Sequence, residues 1–273
     1  MRLMLLILLT SFVFPVYAQP SLPDTGMAVC RSTTNSSSSP LVSCNQENAG
    51  DVGANPHQDG RHGRDAVATA GKLVKMGGGD GGFDYSKICN SGELEGVGSC
   101  PVNPNLGNGT NDWGCVLDNI TELMWEVKTS DIPASLRDQS WRYSWFNSDN
   151  ATNGNNSGIE DAGDNCFDIR RCDTEKFIAD VNTSTLCSFN DWRLPSYREL
   201  TTLLHLGKSE PRIDTDYFPE TQVLANGYWS ATTFAIASGT PNSWSVSFLN
   251  TNESNGKNRS TELPVRLVRQ GAF

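Results

Sequence analysis

The chain is expected to be an α+β protein with two helices and antiparallel sheets, preceded by a loop-rich leader. Three observations carry this expectation. Composition changes near Asp112, two capped helical segments lie between Asp173 and Leu204, and short β-type runs follow Gly227, separated by Gly, Asn and Ser turns. A strand pair, then helices, then further strands is the order of an α+β domain, not of a doubly wound parallel sheet.

The N-terminal end predicts export. Arg2 gives a positive start, residues 3–16 form an apolar run, and Val16 and Ala18 occupy the small-residue positions of a cleavage site. Residues 1–18 are therefore expected to be a signal peptide cut between Ala18 and Gln19. The run is shorter than the roughly 20 apolar residues of a membrane span, and no cysteine follows Ala18 to take a lipid anchor. No later stretch is apolar enough to span a bilayer, so a soluble product in the periplasm, at the cell surface or in the medium is expected. The net charge of −10 argues against nucleic acid and anionic membranes, which select clustered Lys and Arg.

Residues 19–111 form the leader. Ser, Asn, Gly and Pro dominate at 32–40 and 75–83, so this part has little to bury by itself. A short helix is expected at 64–74, and the remainder is expected to wrap onto the following domain, held by disulfides. The LPDTG at 22–26 matches a sortase signal but stands at the wrong end of the chain, so it is taken as an entry turn. The glycine run at 77–82 lacks the preceding strand, the Gly-Lys-Ser/Thr ending and the following helix of a phosphate loop. Asp80 at its centre is acidic as well, so a plain loop is expected.

Residues 112–273 form the main domain. A strand–turn–strand is expected over 117–127, turning at Asp118-Asn119, with Leu123, Met124 and Trp125 in a buried strand. A polar insertion follows at 147–165. Asp173 caps a helix over 174–181 whose Phe177, Ile178 and Val181 share a face. Ser196 and Glu199 make a capping box just after Pro195, and Tyr197, Leu200, Leu203 and Leu204 form one apolar stripe ending before Gly207. His205, beside that stripe, is taken as a packed or rim histidine. Strands at 228–234, 244–249 and 264–268 complete the domain.

Eight cysteines, an even count in an exported chain, predict a disulfide framework. Zinc is disfavoured, because there is no CxxC and His57, His62 and His205 stand apart from any cysteine pair. Proximity in sequence favours Cys30–Cys44, Cys89–Cys100 and Cys166–Cys172, which leaves Cys115–Cys187 as a long-range staple.

No catalytic constellation is evident, since GxSxG and HExxH are absent and the three histidines are scattered. Asp149, Asn153, Gly154 and Glu160 echo a calcium loop, but Ala151 removes a ligand and no helix flanks the loop convincingly. A polar insertion without a cofactor is the expectation, with calcium as its alternative. All seven tryptophans fall after Asp112. Core packing competes with ligand stacking for each of them. Those beside the insertion, Trp141 and Trp145, are the candidate stacking residues, with Asn153, Lys257 and Arg259 as polar and basic contacts.

The ordered segments DNITELMWE (118–126), CSFNDWRLPSYREL (187–200), IDTDYFPET (213–221), GYWSATTF (227–234) and PVRLVR (264–269) resemble the C-terminal domain family of the Lcl collagen-like adhesins. Within DWRLP, Trp192 and Leu194 are expected to pack inward while Arg193 pairs locally. Glu122 stands where the family usually has glycine. The resemblance implies a C-type-lectin-like fold related to the formylglycine-generating enzymes, and an extracellular bacterial protein with a glycan or protein ligand. An exported, non-catalytic binding module is the expected function, and a structural envelope-assembly component is the alternative. An enzyme of the formylglycine-generating type needs thiols late in the domain, and no cysteine follows Cys187. A basic patch built from Arg193, Arg198, Lys257, Arg259, Arg266 and Arg269 would be needed for a strongly anionic ligand.

Overall fold

A computed structural model describes residues 24–27, 29–31, 41–43, 62–130, 135–235, 241–249 and 254–271. The signal peptide lies outside the described residues. Cys30 is disulfide-bonded, and its expected partner Cys44 also lies outside them.

Two antiparallel sheets dominate, with few helices. The larger has the order β3 (Tyr85–Cys89), β4 (Trp113–Asp118), β5 (Leu123–Glu126) and β9 (Val268–Gln270). The smaller joins β6 (Tyr228–Phe234), β7 (Asn242–Val246) and β8 (Ser254–Asn258). A small ladder in the leader pairs β1 (Val29–Arg31) with β2 (Leu41–Ser43). The helices are α1 (Arg64–Thr69), α2 (Thr174–Ser184) and α3 (Tyr197–Thr201), with a 3-10 turn at Leu186–Ser188.

The β4–β5 hairpin shows how local chemistry sets the register. Asp118 ends β4, its Oδ1 accepts from the Ile120 amide at 2.9 Å and its Oδ2 from the Thr121 hydroxyl at 2.7 Å, an Asx-type turn. The first strand therefore begins at Trp113, earlier than expected, and the turn falls at 119–122. Side chains then alternate across the pleat. Leu123 and Trp125 enter one core with Tyr85, Phe218 and Tyr228, while Met124 enters the other with Phe177, Trp192 and Trp229.

The two expected helices form, with caps as anticipated. The Asp173 side chain accepts from the Lys176 amide at 2.9 Å, and Ser196 and Glu199 make both bonds of the capping box. Helix α3 stops at Thr201 and continues as turns, which still bury Leu203 and Leu204. Strand β6 has the expected bounds, but the last strand begins at Val268 rather than 264. Pro264 offers no N–H to a ladder, so residues 263–267 are buried without regular pairing. Strand β8, SNGKN, has no β-type composition and forms by its pairing with β7.

The leader does not merely wrap. Strand β3 pairs with β4 across Tyr85–Asp118 to Ile88–Cys115, and Phe83, Tyr85 and Ile88 are core residues. The glycine run ahead of β3 is held by carboxylates. Asp84 accepts from the Met76 and Gly77 amides, Asp214 from Asp80 and Asp65 from Gly82, at 2.7–2.9 Å. At Gly77 a β-carbon would lie 2.0 Å from the Tyr85 carbonyl oxygen, so glycine is what lets this segment approach β3. The described end of LPDTG, residues 24–26, has no regular structure and docks on the domain, with the Thr25 carbonyl accepting from the Leu206 amide at 2.8 Å.

Candidate functional site

The residues picked out beside the polar insertion do not form a ligand face. Trp145 is fully buried, its indole N–H donating to the Ser230 carbonyl at 2.9 Å. The Arg259 guanidinium stacks on its ring at 3.8 Å and is itself buried. Arg259 also donates to the Ser243 hydroxyl and to the carbonyls of Asn153 and Asn156. Asn153 is buried, with its amide donating to the Asn147 carbonyl at 3.1 Å. Trp145, Asn153 and Arg259 therefore anchor the insertion to the core. Lys257 lies on β8 opposite Ser243. Trp141 is half-buried, with its indole N–H on the Ser135 carbonyl at 2.8 Å.

A basic patch does not assemble either. Arg266 and Arg269 are buried, donating to the Glu126 carbonyl and to the Asp191 carboxylate, while exposed Arg193 forks onto Glu199. Buried Lys128 pairs with Glu126 at 2.6 Å. Burial pulls the Lys128 ammonium below its ordinary pKa, and Glu126 opposes the shift. The acids of the calcium-like loop have separate partners. Asp149 accepts from the Ala151 amide and the Thr152 hydroxyl at 2.9 Å. Glu160 joins Asp161 and Asp173, the group of acids close enough to share a cation among the described residues. The Lys176 ammonium stands among them, 2.9 Å from Glu160 and 3.5 Å from Asp173, and contacts Asp161 as well. Those carboxylates raise its pKa above the ordinary lysine value.

A groove of about 660 Å³ opens elsewhere, between the C-terminal end of α2, the 3-10 turn and the loop closed by Cys166–Cys172. Its volume lies within the roughly 300–1,000 Å³ of small-ligand sites. One wall carries Asp180, Thr183 and Ser184 from α2, and the other carries Asn90, Asn108 and Arg137. Phe167 stands at the rim, 42% exposed, in edge contact with Trp141. Arg137 is the buttress. It donates to the carbonyls of Gly107, Gly114 and Val127 and to Asn108 Oδ1. Burial pushes its pKa down to about 10 against the opposing pull of Glu126 and Asp112.

The groove's floor is backbone in an uncommon conformation. Thr185, Cys187 and Ser188 all have positive φ, at 51°, 52° and 67°. Each costs of order 1–2 kcal/mol for a residue with a β-carbon. The surroundings hold the turn in place. Cys187 is bonded to Cys115 on β4, and the Trp192 indole donates to the Leu186 carbonyl at 3.1 Å. Phe167, Ser188 and the α2 pair Asp180 and Thr183 come from three segments and carry no motif. The available signal was the tight cysteine pair enclosing Phe167 and Ile169, apolar residues in an otherwise polar stretch.

A second cavity of about 620 Å³ lies where the leader meets the domain, lined by Asp65, Asp80 and His205 among others. His205 is packed, with Nε2 3.3 Å from Asp80. Burial lowers its pKa, and Asp80 only partly opposes this.

The expected Cys89–Cys100, Cys115–Cys187 and Cys166–Cys172 disulfides are all present. No helix among the described residues is long and apolar enough to cross a membrane. No curated protein and no solved structure matches the chain. The profile of the Lcl C-terminal domain matches residues 114–269, which spans β4 to β9 and both disulfides flanking the groove, and the chain belongs to that family.

Proposed function

We propose that the chain is an exported, non-catalytic binding module, on a C-type-lectin-like domain, whose extracellular ligand occupies the groove beside α2. The observation that carries this reading is the groove's construction. Its floor is tied to β4 by Cys115–Cys187 and its rim loop is closed by Cys166–Cys172, so a concavity of mixed polar and apolar lining, with one exposed aromatic, is presented on a fixed scaffold. Membership of the Lcl family favours a surface protein. The disulfides suit an oxidising compartment. The two antiparallel sheets with their flanking helices accord with a lectin-like domain.

The test is a binding screen of the mature protein against extracellular glycans and matrix proteins, repeated with Phe167→Ala and with a control at an exposed leader residue outside the groove lining, Val74→Ala. Binding that falls only in Phe167→Ala supports the reading. Silence across the screen, or binding that ignores the groove substitution, sinks it.

A further inference from the structure

We propose that residues 24–27 form a strap that protonation of His205 releases from the domain. The strap docks by two contacts. The Thr25 carbonyl accepts from the Leu206 amide at 2.8 Å, and Gly26 lies against the His205 ring, where a β-carbon would stand 2.3 Å from Nδ1. Glycine permits that approach, both by its missing side chain and by its φ of +69°. The Gly26 carbonyl is turned to Gly207, where an added β-carbon would lie 2.0 Å from that oxygen. Gly26, His205 and Gly207 all line the cavity of about 620 Å³ between leader and domain. The strap is therefore part of that cavity's wall, and its release opens the wall.

The chemistry turns on what Nδ1 faces. His205 is buried, and neither ring nitrogen makes a well-formed hydrogen bond. A neutral imidazole has one N–H donor and an imidazolium has two. Nε2 has a neighbour for its proton, Asp80 Oδ2 at 3.3 Å. Nδ1 is covered by Gly26, whose carbonyl points elsewhere, so a proton there is a buried donor left unmade. Undocking uncovers Nδ1 to water, and proton and strap thus compete for one nitrogen. The surrounding charges do not reverse this. Asp80 is shared with Lys208, 3.4 Å away, and is largely exposed to screening water. Lys208 repels an imidazolium and Asp214 attracts it, while Asp65 and Lys75, of opposite sign, line the same cavity. Burial prevails over Asp80 and sets the imidazole pKa below its ordinary 6.5. The undocked state then holds the extra proton, so the contact is at full strength above pH 6.5 and weakens as pH falls. Asp24, on the strap itself, is the other titratable group at this contact.

Hydrogen exchange of the Leu206 amide in the mature chain, corrected for its intrinsic pH dependence, reads the docked bond directly. Its protection is expected to fall as pH drops below 6.5, by up to about tenfold per pH unit, the limit for one proton. The Tyr143 amide, bonded to the Leu263 carbonyl in the core around Phe177, should keep its protection. His205→Phe keeps a ring against Phe83 and removes the titration, so Leu206 should stay protected down to about pH 5. Gly26→Ala should lift the strap without acid, lowering Leu206 protection about tenfold at neutral pH. Acid should then add little, and the His205 ring in this variant should titrate nearer 6.5 than in the native chain. Native Leu206 protection that ignores pH overturns the proposal. A loss that persists in folded His205→Phe also overturns it and moves the effect to Asp24. If His205→Phe does not fold, a His205 titration left unshifted by Gly26→Ala is sufficient to overturn it.

Discussion

Glu122 closes the β4–β5 turn with φ at +58°. The family's usual glycine at this position is explained by that angle, since a β-carbon in the left-handed region is crowded by the backbone. Glu122→Gly is therefore expected to stabilise the fold by up to about 1 kcal/mol, the strain relieved less the added freedom of the unfolded chain. Glu122→Ala keeps the β-carbon and should give no such gain, so urea midpoints of the two variants decide the point. His205 makes a different kind of prediction. Its folded pKa lies below the ordinary 6.5, because burial disfavours the imidazolium more than Asp80 favours it, while Lys208 adds repulsion and Asp214 attraction. Below pH 6.5 the unfolded chain then holds more protons than the folded one, so this contribution to stability is lost as pH falls from 6.5 toward the depressed value. His205→Gln should lower the melting temperature at every pH through the lost ring contact with Phe83, and flatten its pH dependence over that window. A wild-type slope that persists in the variant would assign the loss to other groups. At this scale the sequence was a good guide to chemistry that acts locally, as with Asp173 and Ser196 at their helix starts. It was a poor guide to which tryptophans are buried, because Trp145 is covered by Arg259, which lies far along the chain.

Elements whose specification is local were legible. The corner DWRLP is held by Asn182, whose side chain brackets the Trp192 backbone at 2.8 and 2.9 Å, and by Arg193 on Glu199, the same carboxylate that completes the α3 capping box. Ser196→Ala should cost about 1 kcal/mol, read from the shift in urea midpoint, by removing one acceptor at the helix start. Elements made by partners were not legible. Strand β8 is polar and contains Gly256, so nothing in its own composition marks it, and β3 sits in a segment whose glycines suggest a loop. The groove is of this second kind, since its walls come from the leader, α2 and the Cys166–Cys172 loop. Its floor supplies the sharper test. Cys115–Cys187 closes 72 residues of chain, for which the chain-entropy description gives about 4 kcal/mol. Cys115→Ala with Cys187→Ala should lose stability of that order. It should also release the turn with three left-handed residues, weakening ligand binding beyond what the stability loss explains. A double variant that melts early but, while folded, binds as tightly as the native protein would separate the disulfide from the site.

Across the whole molecule, the leader and the Lcl domain share one core. Composition places a boundary near Asp112, and the family profile begins at residue 114, yet β3 lies ahead of both and forms the edge of the main sheet. The discrepancy has a simple physical basis: composition averages over a window, and a five-residue strand between glycine-rich loops is lost in the average. Removing the leader at residue 112 would strip Phe83, Tyr85 and Ile88 from the core, at roughly 1.5–3 kcal/mol each. It would also leave the β4 edge unpaired, an invitation to association. Those losses consume much of the roughly 5–15 kcal/mol that holds an ordinary domain together. A chain of residues 112–273 is therefore expected to lack a cooperative thermal transition and to aggregate. A chain of residues 62–273, which keeps α1, the glycine run and β3, is expected to melt cooperatively. Scanning calorimetry on the two, with Cys89–Cys100 intact in the longer, is the measurement. If residues 112–273 melted at the temperature of the full protein, β3 would be an accessory to a self-sufficient domain. If they fail while 62–273 succeeds, the stable unit starts within the leader, and the buried acids Asp65, Asp84 and Asp214 that grip the glycine run are part of what holds it together.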